Sequence, residues 1–328
     1  TLHDVVLNIW AFLIKEYLCH QINEIYIDIS SGLNFYITAL MEALRYFLVW
    51  AKLYNIGNNN IVKGYISYTD PILGRSEQTI NIYTYEVIYK AFFTSPFGYQ
   101  DLNVLAKNVI EKGLDFDRKT KANVKQHLES FLTIFSCFEN AAPLFLYMND
   151  FQNTNDIEDT IKIITNAILS QYKNNWYSSP GFDFNNFSKV LNALAFFNGL
   201  KKIMENIYKN NQGYATLDCL EKFCEVLRKL KLQPQANILH SELYNNFKHS
   251  DFDKKYTEQN TLNDWIYLCK LLQYDQTCIQ NLNERNFFAH AGFERTVTMV
   301  KKENEDILIK YDESKLQEIK QILLNRVK

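Results

Sequence analysis

Close to the C-terminal end, Arg285-Asn286-Phe287-Phe288-Ala289-His290 sets two chemically capable side chains and a polar neighbour into an otherwise apolar segment. Arg carries a permanent planar fork of donors, and His moves protons near neutral pH. Cleaving a phosphodiester without a metal needs those same two things, a fixed positive charge for the phosphate and a titratable imidazole. A plainer reading fits the residues as well: Arg285 caps a surface turn and His290 is a satisfied interior imidazole. Spacing alone leaves both open.

The local helix geometry sharpens the choice. Gly292 is a natural helix C′ residue, so His290 is expected in the last turn of a short helix, where the carbonyl ends attract positive charge. Asn286 lies one turn before His290 on the same face and is placed to orient the ring. At about 100° per residue, Arg285 is ~140° from His290 around the axis, too far to converge on one small group. One copy makes a poor active site. Two copies facing each other across a two-fold axis would bring two Arg and two His together.

A second candidate region lies far upstream. Ile22 to Ile29 alternates apolar and polar residues as a strand does, and it runs into Ser30-Ser31-Gly32-Leu33-Asn34 and then an apolar segment, Phe35 to Trp50, of helical length. Ligands of α/β sheets sit beyond the carboxyl ends of strands, at helix N-termini. Ser30, Ser31, Gly32 and Asn34 occupy that location, and Gly32 permits a tight turn. Ser31 or Asn34 fits equally well as an ordinary N-cap. A second strand, Ile61 to Tyr68, ends in Thr69 and Asp70, which would line the same rim, with Arg75 in the loop beyond. A third strand is expected at Ile80 to Tyr85. The loop is neither a Walker A loop nor a dinucleotide fingerprint.

These regions need a scaffold, and the chain supplies an α/β part followed by an all-α part. Thr1 with Asp4 forms a capping start for a first helix to about Cys19. A helix beginning at residue 1, which is Thr, leads us to expect that the sequence lacks its natural start. Thr94-Ser95-Pro96-Phe97-Gly98 marks a boundary, giving a first domain over 1–93 and a second over 94–328. Beyond it, 3.6-residue periodicity predicts helices at 101–112, 120–140, 156–174, 184–209, 215–231, 235–247 and 261–281. The Phe131/Phe135/Phe138 and Phe184/Phe187/Phe196/Phe197 clusters are expected in the core, and His127, His240 and His249 as structural or surface residues. A hairpin over Thr296–Val300 and Ile307–Tyr311 and a final helix from about Glu313 to Arg326 close the chain.

Composition narrows the function classes. With 35 Lys and Arg against 37 Asp and Glu, the formal charge is −2. Bulk charge therefore does not favour coating nucleic acid, although a local phosphate site is still open. The six Cys show no C-x-x-C pair, so zinc is not expected. Neither a membrane span nor a signal peptide is apparent, and a cytoplasmic location is expected.

Taken together, the two regions carry a resemblance. Arg285-Asn286-x-x-x-His290 resembles the R-x(4–6)-H motif of HEPN ribonucleases, polar residue included. Asp28-Ile29-Ser30-Ser31-Gly32-Leu33-Asn34 resembles the D-x-T-H-G-x-N segment of CARF sensor domains in CRISPR-associated accessory ribonucleases, with Ser30-Ser31 standing where that family often has Thr-His. The resemblance implies a Rossmann-like CARF sensor, here lacking its first strand, followed by a helical HEPN domain with a C-terminal hairpin. It further implies a homodimer, or a higher assembly of dimers, that cleaves single-stranded RNA without a metal or other cofactor. The allosteric activator would be cyclic oligoadenylate, with cyclic tetra-adenylate matching a two-fold site. Arg285, Asn286 and His290 would be catalytic, and Ser30, Ser31, Gly32, Asn34, Thr69 and Asp70 would bind the activator. Two other expectations remain: a non-catalytic nucleotide-binding or partner-docking module, and a HEPN toxin nuclease without nucleotide sensing.

Overall fold

The structure is a computed structural model and describes residues 1–20, 22–30, 33–58, 61–70, 81–111, 114, 116–148, 157–174, 182–207, 213–248, 251–259, 264–272, 282–304 and 306–328. In chain order its main elements are α1 (Leu2–Cys19), β1 (Glu24–Asp28), α2 (Asn34–Tyr54), β2 (Lys63–Thr69), β3 (Ile82–Glu86), α3 (Leu102–Leu105), α4 (Arg118–Glu139) and α5 (Leu144–Met148). They continue with α6 (Ile157–Asn174), α7 (Phe184–Ile207), β4 (Ala215–Thr216), α8 (Leu217–Lys229), α9 (Gln233–Phe247), α10 (Phe252–Gln259), β5 (Ile266–Tyr267) and α11 (Leu268–Leu271). The last elements are α12 (Glu284–Ala289), β6 (Thr298–Glu303), β7 (Asp306–Tyr311) and α13 (Leu316–Arg326). Two compact units are formed. One comprises Thr1–Phe97, Asp101–Leu128 and Asp156–Gly199, the other Gly98–Gln100, Glu129–Asn155 and Leu200–Lys328. The units therefore do not follow the chain order that a single boundary near residue 94 implies.

In the first unit α1 opens with the capping box the sequence predicts: the Thr1 hydroxyl accepts from Asp4 N–H, and the Asp4 carboxylate accepts in return from Thr1. The inward face of α1 packs on α2 and α6. Trp10, Ile14, Phe47, Trp50 and Ile161 are fully buried there, each contributing about 1.5–3 kcal/mol through removal from water. Two of the ring polar groups find partners, Trp50 Nε1 donating to Leu191 O at 3.1 Å and Tyr54 Oη to Glu158 Oε2 at 2.7 Å. α2 lies directly on β2, where a Cβ at Gly64 would stand 2.6 Å from Leu48 Cδ1.

The helix between β1 and β2 makes them parallel, Asp28 opposite Ser67. β3 is antiparallel to β2, with Thr69 opposite Ile82. His127 is a structural residue, its buried Nδ1 3.1 Å from Thr160 Oγ1. Phe187, Phe196 and Phe197 are buried in this unit, as Phe131, Phe135 and Phe138 are in the other. His249, Arg75 and the 273–281 part of the expected 261–281 helix lie outside the described residues.

The second unit is built around the β6–β7 hairpin, registered from Thr298 opposite Tyr311 to Glu303 opposite Asp306 and turned at Asn304, φ 57°. β4 adds to β7 and β5 adds to β6, giving the order β4-β7-β6-β5. Both additions correct the sequence reading, which places 215–216 and 266–267 inside helices. Each short strand ends on the extended residue that caps the following helix. Thr216 accepts from Cys219 N–H at the start of α8, and Tyr267 at φ −65°, ψ 138° leads into α11. Such a residue pairs with the hairpin on one side and starts a helix on the other, so helical periodicity absorbs it. α10, over 252–259, was likewise not anticipated, and the single helix expected over 261–281 begins instead with β5 and the short α11. Pro234, expected between helices, occupies the first turn of α9, where its missing N–H leaves nothing unpaired.

Candidate active site

α12 is a six-residue helix whose ends are set by its own sequence. Asn283 caps the start, its Oδ1 accepting from Asn286 N–H at 3.0 Å, and Glu284 in the first turn complements the dipole. Phe287 is fully buried and fixes which face looks inward. The helix stops because Ala291 and Gly292 turn to φ 51° and 80°, allowing Gly292 N–H to donate back to Phe287 O at 2.8 Å, a Schellman-type closure. The sequence reading put the left-handed C′ residue at Gly292. The structure gives that position to Ala291, and Gly292 follows as a second left-handed residue.

Gly292 is held from outside as well. Its carbonyl accepts the buried Tyr311 hydroxyl at 2.9 Å. A Cβ there would stand 2.8 Å from that hydroxyl and 3.0 Å from Ala142 Cβ. Gly292→Ala is thus expected to destabilise the protein by about 2–4 kcal/mol, combining left-handed strain with overpacking. Urea unfolding would read this as a lowered midpoint. An unchanged midpoint would contradict the tight packing of this turn.

With Phe287 inward, the two candidate side chains go to different places. Arg285 is exposed, forms no ion pair among the described residues, and opens on a concavity of about 700 Å³ that Glu284, Phe288, Ala289 and Arg326 also line. Arg326, from α13, holds its guanidinium 5.1 Å from the Phe288 ring centroid, a cation–π contact. Two guanidinium groups therefore share one groove.

His290 points instead toward α9. Its Nδ1 is buried and stands 3.2 Å from Glu242 Oε2, an ion-pair contact not aligned as a hydrogen bond. Glu242 Oε2 also accepts from Asn246 Nδ2 at 3.0 Å, and Asn246 is itself buried. Nearby Glu294 is only 6% exposed. Burial pushes its carboxyl above the usual range, partly offset by the Thr296 hydroxyl and the neighbouring His290. The structure does not bring Arg285 and His290 into one concavity, in line with their ~140° separation on a helix. Asn286 is exposed, and among the described residues its side chain makes no hydrogen bond to His290.

The other described candidate residues, Ser30, Asn34, Thr69 and Asp70, lie at one rim. β1 and β2 run parallel and end side by side. Ser30 donates from N–H and Oγ to Asp28 Oδ1 at 2.9 and 2.5 Å, bonds that hold the Asp28 carboxyl below the ordinary range. Asn34 opens α2, whose N-cap Leu33 offers no side-chain cap. Asn34 is therefore not the capping residue. Thr69 ends β2, and Asp70 accepts from Asn81 Nδ2 at 3.2 Å. Ser31 and Gly32 lie outside the described residues. Among the described residues no group of three or more His, Cys, Asp and Glu is placed to hold a metal ion, and no helix is long and apolar enough to cross a membrane.

Sequence reasoning missed Glu242, Asn246, Glu294 and Arg326. Glu242 and Asn246 are one turn apart on α9, a spacing visible in the sequence. Nothing there ties that face to a histidine on another helix.

Residues 232–313 match the family model described as the HEPN domain of the CRISPR system endoribonuclease Csx1. That span contains Glu242, Asn246, Arg285 and His290, and leaves out Arg326. The chain is also 25% identical, over 294 residues, to the CRISPR system endoribonuclease Csx1 of Methanocaldococcus jannaschii. The alignment takes in 84% of this chain and 59% of that relative, so the chain spans little more than half the relative's length. Residues 232–313 are thus similar to a HEPN domain of the Csx1 kind, and the similarity to a CRISPR-associated HEPN ribonuclease extends over most of the chain.

Proposed function

We propose that the chain is a metal-independent, single-strand-specific endoribonuclease that works as a pair of copies. In this reading it acts in the cytoplasm in type III CRISPR antiviral defence and is switched on by cyclic oligoadenylate. The observation that carries the ribonuclease reading is the pairing of Arg285 and His290 within the HEPN match. One side chain lines an open groove with no ion-pair partner among the described residues, and the other ring is backed by a carboxylate.

The RNA 2′-OH attacks the adjacent phosphorus, and the 5′-oxygen leaves. Products are a 2′,3′-cyclic phosphate and a 5′-OH. His290 transfers protons, which needs an imidazole edge open to substrate. Arg285 stabilises the charge that develops on the phosphorane oxygens, and Arg326 in the same groove supplies a second fixed charge for the RNA backbone. Because Arg285 and His290 diverge within one copy, the second copy completes the site, one His serving as base and the other as acid. Asn286, exposed on α12, positions the phosphate.

The first unit's β1–α2–β2 crossover and the polar rim of Ser30, Asn34, Thr69 and Asp70 support reading it as the CARF-type sensor; Ser31 and Gly32 are proposed as activator contacts from the sequence alone. Two such rims facing each other suit a two-fold symmetric ring such as cyclic tetra-adenylate. The activator acts by binding the competent pair more tightly than the idle one. Calorimetry with cyclic tetra- and hexa-adenylate, paired with RNA cleavage at each ligand concentration, tests this. Binding together with stimulated cleavage is expected. No heat with either ring would remove the sensing half of the reading and leave the nuclease half standing.

A further inference from the structure

We propose that Glu242 is the positioning residue for His290, holding the imidazole through Nδ1 so that Nε2 is the nitrogen presented to RNA. The inference rests on the ribonuclease reading above and assigns a role within its site.

Three observations carry it. His290 Nδ1 contributes no accessible surface and has no hydrogen-bond partner, although Glu242 Oε2 stands 3.2 Å away. The imidazole is nonetheless 36% exposed, while the Glu242 side chain is 16% exposed. Its open edge therefore carries Nε2, and its closed edge faces the carboxylate. Third, the same Oε2 is fixed from behind by Asn246 Nδ2 at 3.0 Å, one turn along α9. A carboxylate tethered by a buried amide and aimed at one imidazole nitrogen is an orienting device. A neutral His facing it keeps its proton on Nδ1 and leaves Nε2 as the acceptor.

The present contact lacks hydrogen-bond alignment. Catalytic contacts of this kind commonly tighten only when substrate is bound, and a small ring rotation suffices here. Glu242 itself touches neither substrate nor the reacting atoms. Glu294, from the turn after α12, and Arg295 beside it are further charged groups in the neighbourhood. Glu294 Oε1 is engaged by the Thr296 hydroxyl at 3.2 Å, so Glu242 is the carboxylate in direct contact with the ring.

The test uses the full chain as wild type, Glu242→Gln, Glu242→Ala and Glu242→Asp, with thermal unfolding recorded for each. A merely structural ion pair between α9 and α12 would alter stability and leave the ring chemistry alone. The positioning role predicts a kcat lowered about tenfold or more in Glu242→Gln, KM within twofold of wild type, and partial recovery in Glu242→Asp. It also predicts a change in tautomer. In ¹⁵N-labelled protein, long-range ¹H–¹⁵N imidazole spectra would show the Nδ1–H form for His290, identified by its absence in His290→Ala, and a mixed or Nε2–H form in Glu242→Gln. Should Glu242→Ala fail to fold, Glu242→Gln and the tautomer spectrum decide alone. Unchanged kcat, or an unchanged tautomer, in folded Glu242→Gln overturns the inference while wild-type RNA cleavage keeps the ribonuclease reading intact. Absence of RNA cleavage by the wild type would instead remove that reading, and the tautomer spectrum would still judge the Glu242–His290 contact.

Discussion

His290→Ala is expected to lower RNA cleavage by about 10²–10⁴-fold, the usual contribution of a positioned general acid or base. The fold should survive the change. His290 caps the end of α12 through its backbone, N–H to Asn286 O at 3.0 Å, and that bond needs no imidazole. Glu242 keeps its Asn246 partner when the ring is removed, so no buried carboxylate is left without a hydrogen bond. A partly exposed ion pair of this kind contributes at most about 1 kcal/mol, and the unfolding midpoint should shift little. A symmetric pair sharpens the expectation further. If both imidazoles are needed at one composite site, mixing wild-type and His290→Ala chains into heterodimers should give cleavage well below the fraction of wild-type chains present. Activity proportional to that fraction would mean that each copy works alone.

Arg285→Ala should be nearly as damaging, for a different reason. The guanidinium faces an open groove and has no ion-pair partner among the described residues, so its removal breaks no ion pair among them. What disappears is a fixed donor fork aimed at developing phosphorane charge, and the loss of one such donor lowers kcat by ~10²–10³. Arg285→Lys should recover only part of this, because an ammonium keeps the charge but not the planar fork. A KM effect with kcat preserved would instead make Arg285 an RNA-binding residue only. That is the role the account gives to Arg326, which stacks on Phe288 at the other side of the same groove.

How much of this was legible in the sequence depends on the range of the interaction concerned. The Thr1–Asp4 capping box, the alternation that makes β1, and the hairpin from Thr298 to Tyr311 are local patterns, and each forms where the residues predict it. The divergence of Arg285 from His290 was legible too, since helix pitch alone sets it. Short extended caps were not. Ala215-Thr216 and Ile266-Tyr267 are strands only because a hairpin nearly a hundred or some thirty-five residues away offers them free edges. The turn after α12 shows a subtler limit. Glycine marks the left-handed region, yet Ala291 takes the C′ position because the backbone reverses over two residues. Least legible were the groups around His290. Glu242 and Asn246 read as an ordinary polar face of α9 until tertiary packing sets that face against the imidazole.

The most direct test of the central claim is cleavage of a single-stranded RNA by wild-type and His290→Ala chains in EDTA, with cyclic tetra-adenylate present and absent, and the product ends identified by mass spectrometry. The account predicts wild-type cleavage that persists in EDTA, yields 2′,3′-cyclic phosphate and 5′-OH ends, and disappears in His290→Ala. Cleavage by His290→Ala at the wild-type rate, or no cleavage by the wild type under any of these conditions, would contradict it.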